Sequence, residues 1–230
     1  MSNSKITVST KSKNYPIYFG SGILKKTGKL IQKNSTNIKK ICLIVDKKIP
    51  PKKQKILLAS LRKYQTKICK FSTNEKTKSL KVAEKIINNL LENNFDRSDC
   101  IIAFGGGILS DLSAFIASIY KRGINFVNIP TTLLSQVDAS IGGKTAVNSS
   151  YGKNLIGTFY QPNFVLADTS LLNSLPKREI VCGYAEILKH SLILDRKFFF
   201  WLNKNGKKII ENKDKKILQD AIIKSCKIKS

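Results

Sequence analysis

The sequence predicts an α/β fold: a mainly parallel sheet domain over residues 1–170, followed by an all-helical region over 171–230. Three observations carry this. Short apolar runs alternate with longer amphipathic ones through the first two-thirds of the chain, the pattern of strands joined by crossover helices. The run "CIIAF" at 100–104 is continuously apolar, as a strand covered on both faces must be. After Asp168 the alternation stops and only helical patterns follow.

In order, "YPIYFG" (15–20) and "KICLIVD" (40–46) read as strands. A helix starts near Pro50, with Ile56, Leu57, Ser60 and Leu61 close to helical spacing, and "KICKF" is the next strand. "SLKVAEKIINNLLENN" places Leu80, Ala83, Ile86, Ile87, Leu90 and Leu91 on one face, an amphipathic helix. Strand "CIIAF" runs into Gly105-Gly106-Gly107, and a helix continues to about Tyr120. "INFVNIP" and "NFVLAD" are further strands. "PKREIVCGYAEILKHSLI", "RKFFFWLNKN" and "DKKILQDAIIKSCKIK" are helices.

Composition excludes some classes. A chain of 230 residues buries a sizeable core. No apolar run reaches the length of a membrane span, and the polar stretch from Met1 to Lys13 lacks the apolar core of a signal peptide. Five dispersed cysteines without CxxC spacing read as reduced thiols, which fits a cytoplasmic location. The net charge of +26 invites a nucleic-acid partner. The excess is almost all lysine, spread along the chain and accompanied by abundant isoleucine and asparagine, so A+T-rich codon usage accounts for it and no specific nucleic-acid partner is expected.

Several stretches carry chemistry. The strand–glycine–helix junction at Gly105, Gly106 and Gly107 lets backbone approach a pyrophosphate at a helix N-terminus, although Ser110 stands in place of the third glycine of a dinucleotide fingerprint. Asp46 ends a strand, where it either holds a ribose hydroxyl or caps a turn. Glu75 and Lys78 form either a cofactor contact or, the reading their spacing favours, a surface i,i+3 pair. Gly143-Lys144-Thr145 resembles the tail of a P-loop, but Asp138 sits where the first P-loop glycine belongs, which excludes that motif. The surrounding "PTTLLSQVDASIGGKT" is almost free of lysine and rich in small residues, so it reads as packed or lining a site. Arg122 is one of few arginines and is suited to clamp an anion bidentately. Glu186, Lys189 and His190 share one helical face; with His190 the sole histidine, a complete metal site is not expected from these residues.

Taken together, "NEKTKS", "FGGGILSDLSAFIASIYKRGINFVNIPTTLLSQVDASIGGKTAVNSSYGKNLIGTFYQPNFVLAD", "SLPKRE" and "GYAEILKH" closely resemble the 3-dehydroquinate synthase family, most densely from Phe104 to Lys189. The resemblance implies a Rossmann-like domain followed by a helical domain, an active site between them, and a homodimer. It implies conversion of 3-deoxy-arabino-heptulosonate 7-phosphate to 3-dehydroquinate with loss of phosphate. That reaction uses NAD for transient oxidation and a divalent metal, zinc or cobalt, as Lewis acid. A related NAD- and metal-dependent sugar phosphate cyclase, a glycerol-phosphate dehydrogenase, or a non-catalytic NAD-binding fragment are the alternatives; the lysine set and "YGKN" favour the synthase.

Carried over by position, Asp46, Glu75, Lys78, Gly105, Gly106, Gly107, Asp111, Thr131 and Thr132 match NAD-contacting residues. Asp138, Lys144, Lys153 and Asn154 match positions around cofactor and substrate, with Lys144 and Lys153 serving both. Arg122 matches an arginine offered to the substrate phosphate across the dimer, Lys189 a substrate-binding lysine and Glu186 a metal ligand. The sequence departs at Ser110 (usually glycine), Ala139 (usually serine) and His190 (commonly an aromatic). The resemblance places two further histidine ligands in a segment beyond Ser230, so residues 1–230 alone are expected not to turn over substrate.

Overall fold

The computed structural model describes residues 4–211 and 214–230. Met1 to Asn3, part of the stretch read as a polar N-terminus, and residues 212–213 lie outside the described residues.

Among the described residues, nine strands and seven α-helices follow in chain order: β1 (Ser4–Val8), β2 (Tyr15–Gly20), α1 (Thr27–Asn34), β3 (Lys40–Asp46), α2 (Pro51–Ser60), β4 (Gln65–Phe71), α3 (Leu80–Glu92), β5 (Cys100–Gly105), α4 (Gly107–Ile119), β6 (Asn125–Pro130), β7 (Lys144–Ser149), β8 (Gly152–Phe159), β9 (Phe164–Asp168), α5 (Lys177–Leu194), α6 (Arg196–Ile210) and α7 (Lys215–Lys229). Every strand and helix expected from the periodicity is present.

Seven strands form one sheet in the order β1-β2-β9-β6-β5-β3-β4, parallel throughout except for the antiparallel edge pair β1–β2. The apolar runs explain why both faces are covered. In β3, Ile41, Leu43 and Val45 pack with Ile31 of α1 and Leu57 of α2, whereas Cys42 and Ile44 pack with α3 and α4 through Ala83, Ile86 and Ile116. Successive side chains of a strand point to opposite faces, so each face needs its own layer of helices. The C-terminal helices form a third cluster: Ile180, Ile187, Phe198, Leu202 and Ile222 pack against Tyr15, Ile17 and Phe19 of β2 and Val165 of β9.

Strand order creates the feature that positions the site. From β3 the chain moves outward through α2 to β4, then returns through α3 to β5 on the other side of β3. Such a reversal leaves a crevice between the carboxyl ends of the two strands, the usual binding position in open α/β sheets. Val45 pairs with Phe104, so Asp46 and Gly105 are the residues at the lip of this crevice.

Four elements escaped the sequence pattern. β1 lies at the sheet edge with alternate residues exposed, so its polar content hid it. α1 contains Gly28, which lowers helical propensity but is required: a Cβ there would meet the Ser60 carbonyl oxygen at 2.0 Å. The lysine-poor stretch after Pro130 folds as a π-helical turn, Ser135–Ala139, followed by the two-stranded hairpin β7–β8. β8 is largely exposed, with Leu155 and Phe159 among its exposed apolar residues, so it shows no clean alternation.

The join between α5 and the turn beside the site is close-packed. A Cβ at Gly183 would lie 2.5 Å from the Leu133 side chain and 2.6 Å from the Leu134 backbone nitrogen. Gly183→Ala is expected to destabilise by about 1–3 kcal/mol through overpacking, lowering the melting temperature by roughly 2–12 °C for a chain of this size. Val181→Ala, at an exposed position of the same helix, should change it little. Equal shifts for the two variants in thermal denaturation would contradict this packing.

Candidate active site

The glycine turn is built as the sequence predicts. β5 ends at Gly105, and Gly106 caps α4 with no side chain bonded to the first-turn N–H groups. These orphan donors at a positive helix end face the crevice and suit an anion. Small residues are also a packing requirement. A Cβ on Gly106 would come 3.3 Å from Thr132 Cγ2, and one on Gly107 would come 3.3 Å from Ala139 Cβ. Thr131 N–H donates to the Gly105 carbonyl at 2.9 Å, and the Thr132 hydroxyl lies 2.8 Å from Ser135 Oγ. These bonds lock the end of β6 beside the glycine turn. Gln136 Nε2 donates to the carbonyls of Pro130 and Asp168, each at 3.1 Å, and ties the π-helical turn to the ends of β6 and β9.

Asp46 is buried and uses both carboxylate oxygens to cap its own strand end, accepting from Lys48 N–H at 2.9 Å and from the Thr73 hydroxyl. The turn-cap reading therefore holds. Its position at the lip of the crevice also keeps the carboxylate next to the glycine turn.

Glu75 and Lys78 do not form the surface i,i+3 pair that their spacing favours. Glu75–Thr77 is a 3-10 turn capped by Asn74, and it sends the two side chains to different places. Lys78 is buried, and its ammonium donates to Asp111 Oδ2 and Asn154 Oδ1, each at 2.5 Å. Glu75 stays exposed, accepts from Asn148 Nδ2 at 2.9 Å and pairs with Lys153 at 3.5 Å. The Asn148 bond, assisted by Lys153, holds the Glu75 carboxyl below its usual range. Burial pushes the Asp111 carboxyl up and Lys78 pulls it back down. Asn154 adopts a left-handed backbone (φ 59°) that Asn tolerates better than most residues.

A cleft of about 500 Å³ opens beside this triad, with Asp111, Asp138, Lys144, Asn154 and Lys229 in its wall. The structure thus gathers four predicted site residues in one cavity, with Lys78 beneath it. Arg122 is elsewhere: it follows the far end of α4, roughly 20 Å along the helix from the glycine turn. It is exposed and left-handed (φ 60°).

Opposite the glycine turn, α5 presents Glu186, Lys189 and His190. Lys189 Nζ contacts Glu186 Oε1, which raises the lysine pKa. His190 Nε2 lies 3.1 Å from the same oxygen without hydrogen-bond geometry, and the buried Nε2 has no hydrogen-bond partner of its own. Burial lowers the His190 pKa against the pull of Glu186. Asp138, from the π-helical turn, completes the group: its carboxylate, Glu186 and His190 offer ligand atoms that all lie within 4.8 Å of one another. Lys229 Nζ sits 2.8 Å from Asp138 Oδ1. Two carboxylates and an imidazole are donors of the kind a divalent cation takes, here with Lys189 and Lys229 paired to the two carboxylates. Glu186 is the one ligand expected from the sequence; the fold brings Asp138 and His190 close to it as well. Sequence reasoning missed Asp138 as a member of this group, because it joins α5 only through tertiary packing. It also missed Asn148 and Lys229, which carry no local signal.

An open, mainly parallel sheet with a glycine turn at its reversal point and packed C-terminal helices is an architecture this chain shares with solved sugar phosphate cyclases. 2-Epi-5-epi-valiolone synthase from Streptomyces hygroscopicus subsp. jinggangensis, solved with NAD+ and Zn2+ bound, superposes with a TM-score of 0.84 at 25% identity, covering 96% of this chain and 61% of that one. 2-Deoxy-scyllo-inosose synthase, solved with carbaglucose-6-phosphate, NAD+ and Co2+, gives 0.76 at 26% identity, covering 82% of this chain and 51% of that one. The family model for 3-dehydroquinate synthase N-terminal matches residues 68–182 and that for 3-dehydroquinate synthase C-terminal matches 183–230; the chain belongs to the 3-dehydroquinate synthase family. The 3-dehydroquinate synthase of Pelagibacter ubique is 56% identical over 225 residues, 98% of this chain and 61% of that protein. That of Desulforamulus reducens is 40% identical over 227 residues, 98% of this chain and 63% of that protein. The chain thus spans about three-fifths of the length of these curated relatives.

Lys78 is the one buried ammonium in this network. Lys78→Met is expected to cost about 3 kcal/mol in denaturant unfolding, because Asp111 is left half-buried without its cation. The double variant Lys78→Met/Asp111→Leu should recover much of that loss. A single variant as stable as the parent would show that the ion pair contributes nothing.

Proposed function

We propose that this chain carries the cofactor- and substrate-binding machinery of a 3-dehydroquinate synthase, which converts 3-deoxy-arabino-heptulosonate 7-phosphate to 3-dehydroquinate and phosphate. The observation that carries the reading is the convergence of Asp111, Asp138, Lys144 and Asn154 on one cleft beside the glycine turn. The NAD+ and divalent metal bound in the two solved cyclases support it.

In this reading the N–H groups at the start of α4 hold the pyrophosphate of NAD, and the absence of side chains at Gly105, Gly106 and Gly107 lets it approach. Asp46, Glu75, Thr131 and Thr132 surround the rest of the cofactor. Lys78 fixes Asp111 and Asn154 so that their remaining polar atoms face the cleft. Lys144, Lys153 and Lys189 supply positive charge for an anionic substrate, and Asn154 supplies an uncharged polar group. Arg122, remote from this chain's own cleft, serves the site of a second copy in a homodimer. Glu186 is the metal ligand contributed by α5. When bound, NAD supplies the hydride acceptor and donor, and the divalent cation supplies Lewis acidity at a hydroxyl oxygen. The enzyme acts in the cytoplasm.

Gly106→Val places a branched side chain against Thr132 and into the pyrophosphate position. It is expected to weaken NAD+ binding at least tenfold by calorimetry, and unchanged affinity would refute the assignment. Lys144→Ala and Lys153→Ala should each lower kcat/KM for phosphate release at least tenfold, about 1.4 kcal/mol, in an enzyme of the family's full length. Lys52→Ala and Lys215→Ala, at exposed positions remote in sequence, should leave it within twofold. Equal losses in both pairs would remove the distinction between site lysines and background lysines.

A further inference from the structure

We propose that Tyr15 is a positioning residue for Lys144: its buried phenol, together with the Gln161 carboxamide, clamps the Gly142-Gly143 turn and so aims the Lys144 ammonium into the cleft. The proposal rests on the reading of Lys144 given above and deepens it, because that reading does not say what holds the lysine in place.

Lys144 needs such support. It opens β7 in the cleft wall and is exposed. It forms no ion pair among the described residues, so its direction is set by its backbone. The two residues before it are both left-handed, Gly142 at φ 94° and Gly143 at φ 69°. Glycine enters this region without steric cost and leaves it as easily, so the turn keeps its shape only while its polar groups are bonded. Three bonds do this. Tyr15 Oη accepts from Gly142 N–H at 3.1 Å, Gln161 Nε2 donates to the Gly142 carbonyl at 3.2 Å, and Tyr160 N–H donates to the Gly143 carbonyl at 2.8 Å. Gln161 also packs on the turn, since a Cβ on Gly143 would come 2.4 Å from its Nε2.

Tyr160 and Gln161 follow β8, the strand paired with β7, and move with the hairpin. Tyr15 does not. It begins β2, far from Gly142 in sequence, and is wholly buried in the cluster that holds Val137, Ile141 and Val165. Core packing fixes the ring, and the ring fixes its polar tip. The turn is thereby referenced to the main sheet. Phenylalanine would fill the same volume, so the bond to Gly142 is what the hydroxyl adds.

The test is a double-mutant cycle on NAD+ affinity, measured by calorimetry on the 230-residue chain, because Lys144 matches a position that serves cofactor as well as substrate. Lys144→Ala should weaken binding at least tenfold and Tyr15→Phe about fivefold. Tyr15→Phe/Lys144→Ala should bind no more weakly than Lys144→Ala alone. Gly142→Ala adds a methyl in open space but opposes the left-handed backbone, and should reproduce the Tyr15→Phe loss. Tyr120→Phe is the control. It removes another buried phenol–backbone bond, to the Phe95 carbonyl at 2.8 Å beyond the far end of α4. It should lower the melting temperature as Tyr15→Phe does while leaving affinity within twofold. Amide exchange over residues 140–146 should quicken in Tyr15→Phe and not in Tyr120→Phe. Additive losses in the cycle, parent-like affinity in Tyr15→Phe, or equal losses in the two tyrosine variants would overturn the positioning role while leaving the reading of Lys144 intact. Unchanged affinity in Lys144→Ala would overturn that reading, and the proposal with it.

Discussion

The arrangement of this site depends on one buried ammonium. Lys78 leaves a 3-10 turn after β4 and points inward, where burial would be costly without compensation. It is compensated by Asp111 on the first turns of α4 and by Asn154 on the β7–β8 hairpin. Its own backbone carbonyl accepts from Asn148 N–H at 2.8 Å, and Asn148 Oδ1 accepts from Asn154 N–H at 3.0 Å. Three segments far apart in sequence are thereby held around one point. Much of the apolar surface of β8 is exposed, so these polar bonds, together with Val147 in the core and Ile156 against it, set the hairpin's position.

The second constraint is topological. Reversal of strand order between β3 and β5 fixes where a ligand fits, and glycines at the end of β5 keep that position open. The helical lobe then decides what chemistry reaches it. Gly183 lets α5 approach the turn bearing Leu133 and Leu134, and that approach brings Glu186 and His190 to Asp138. The sheet is thus a platform for binding, and the close packing of α5 against the π-helical turn completes the polar cluster.

Much of this was legible in the sequence because burial leaves periodic signatures. "CIIAF" and "KICLIVD" are continuous apolar runs because helices cover both faces, and α3 shows a clean stripe because one of its faces meets solvent. The glycine turn and the Glu186–His190 spacing were equally readable, since both are local. What stayed hidden is set by tertiary contact. Lys78 looks like a surface lysine among many until its turn sends it inward. Asp138 and Lys229 meet Glu186 and His190 only once α5 and α7 dock. β1 and β8 were missed because edge and hairpin strands need not bury a full face.

The central claim is that a dinucleotide occupies the crevice between β3 and β5 and extends toward the cleft under the helical lobe. Amide hydrogen exchange with and without NAD+ tests it directly. Protection should appear in residues 104–111, 131–139 and 144–154, with little change in α6 and at the β1 edge. Absence of protection in these three segments, or protection concentrated on the opposite edge of the sheet, would contradict it.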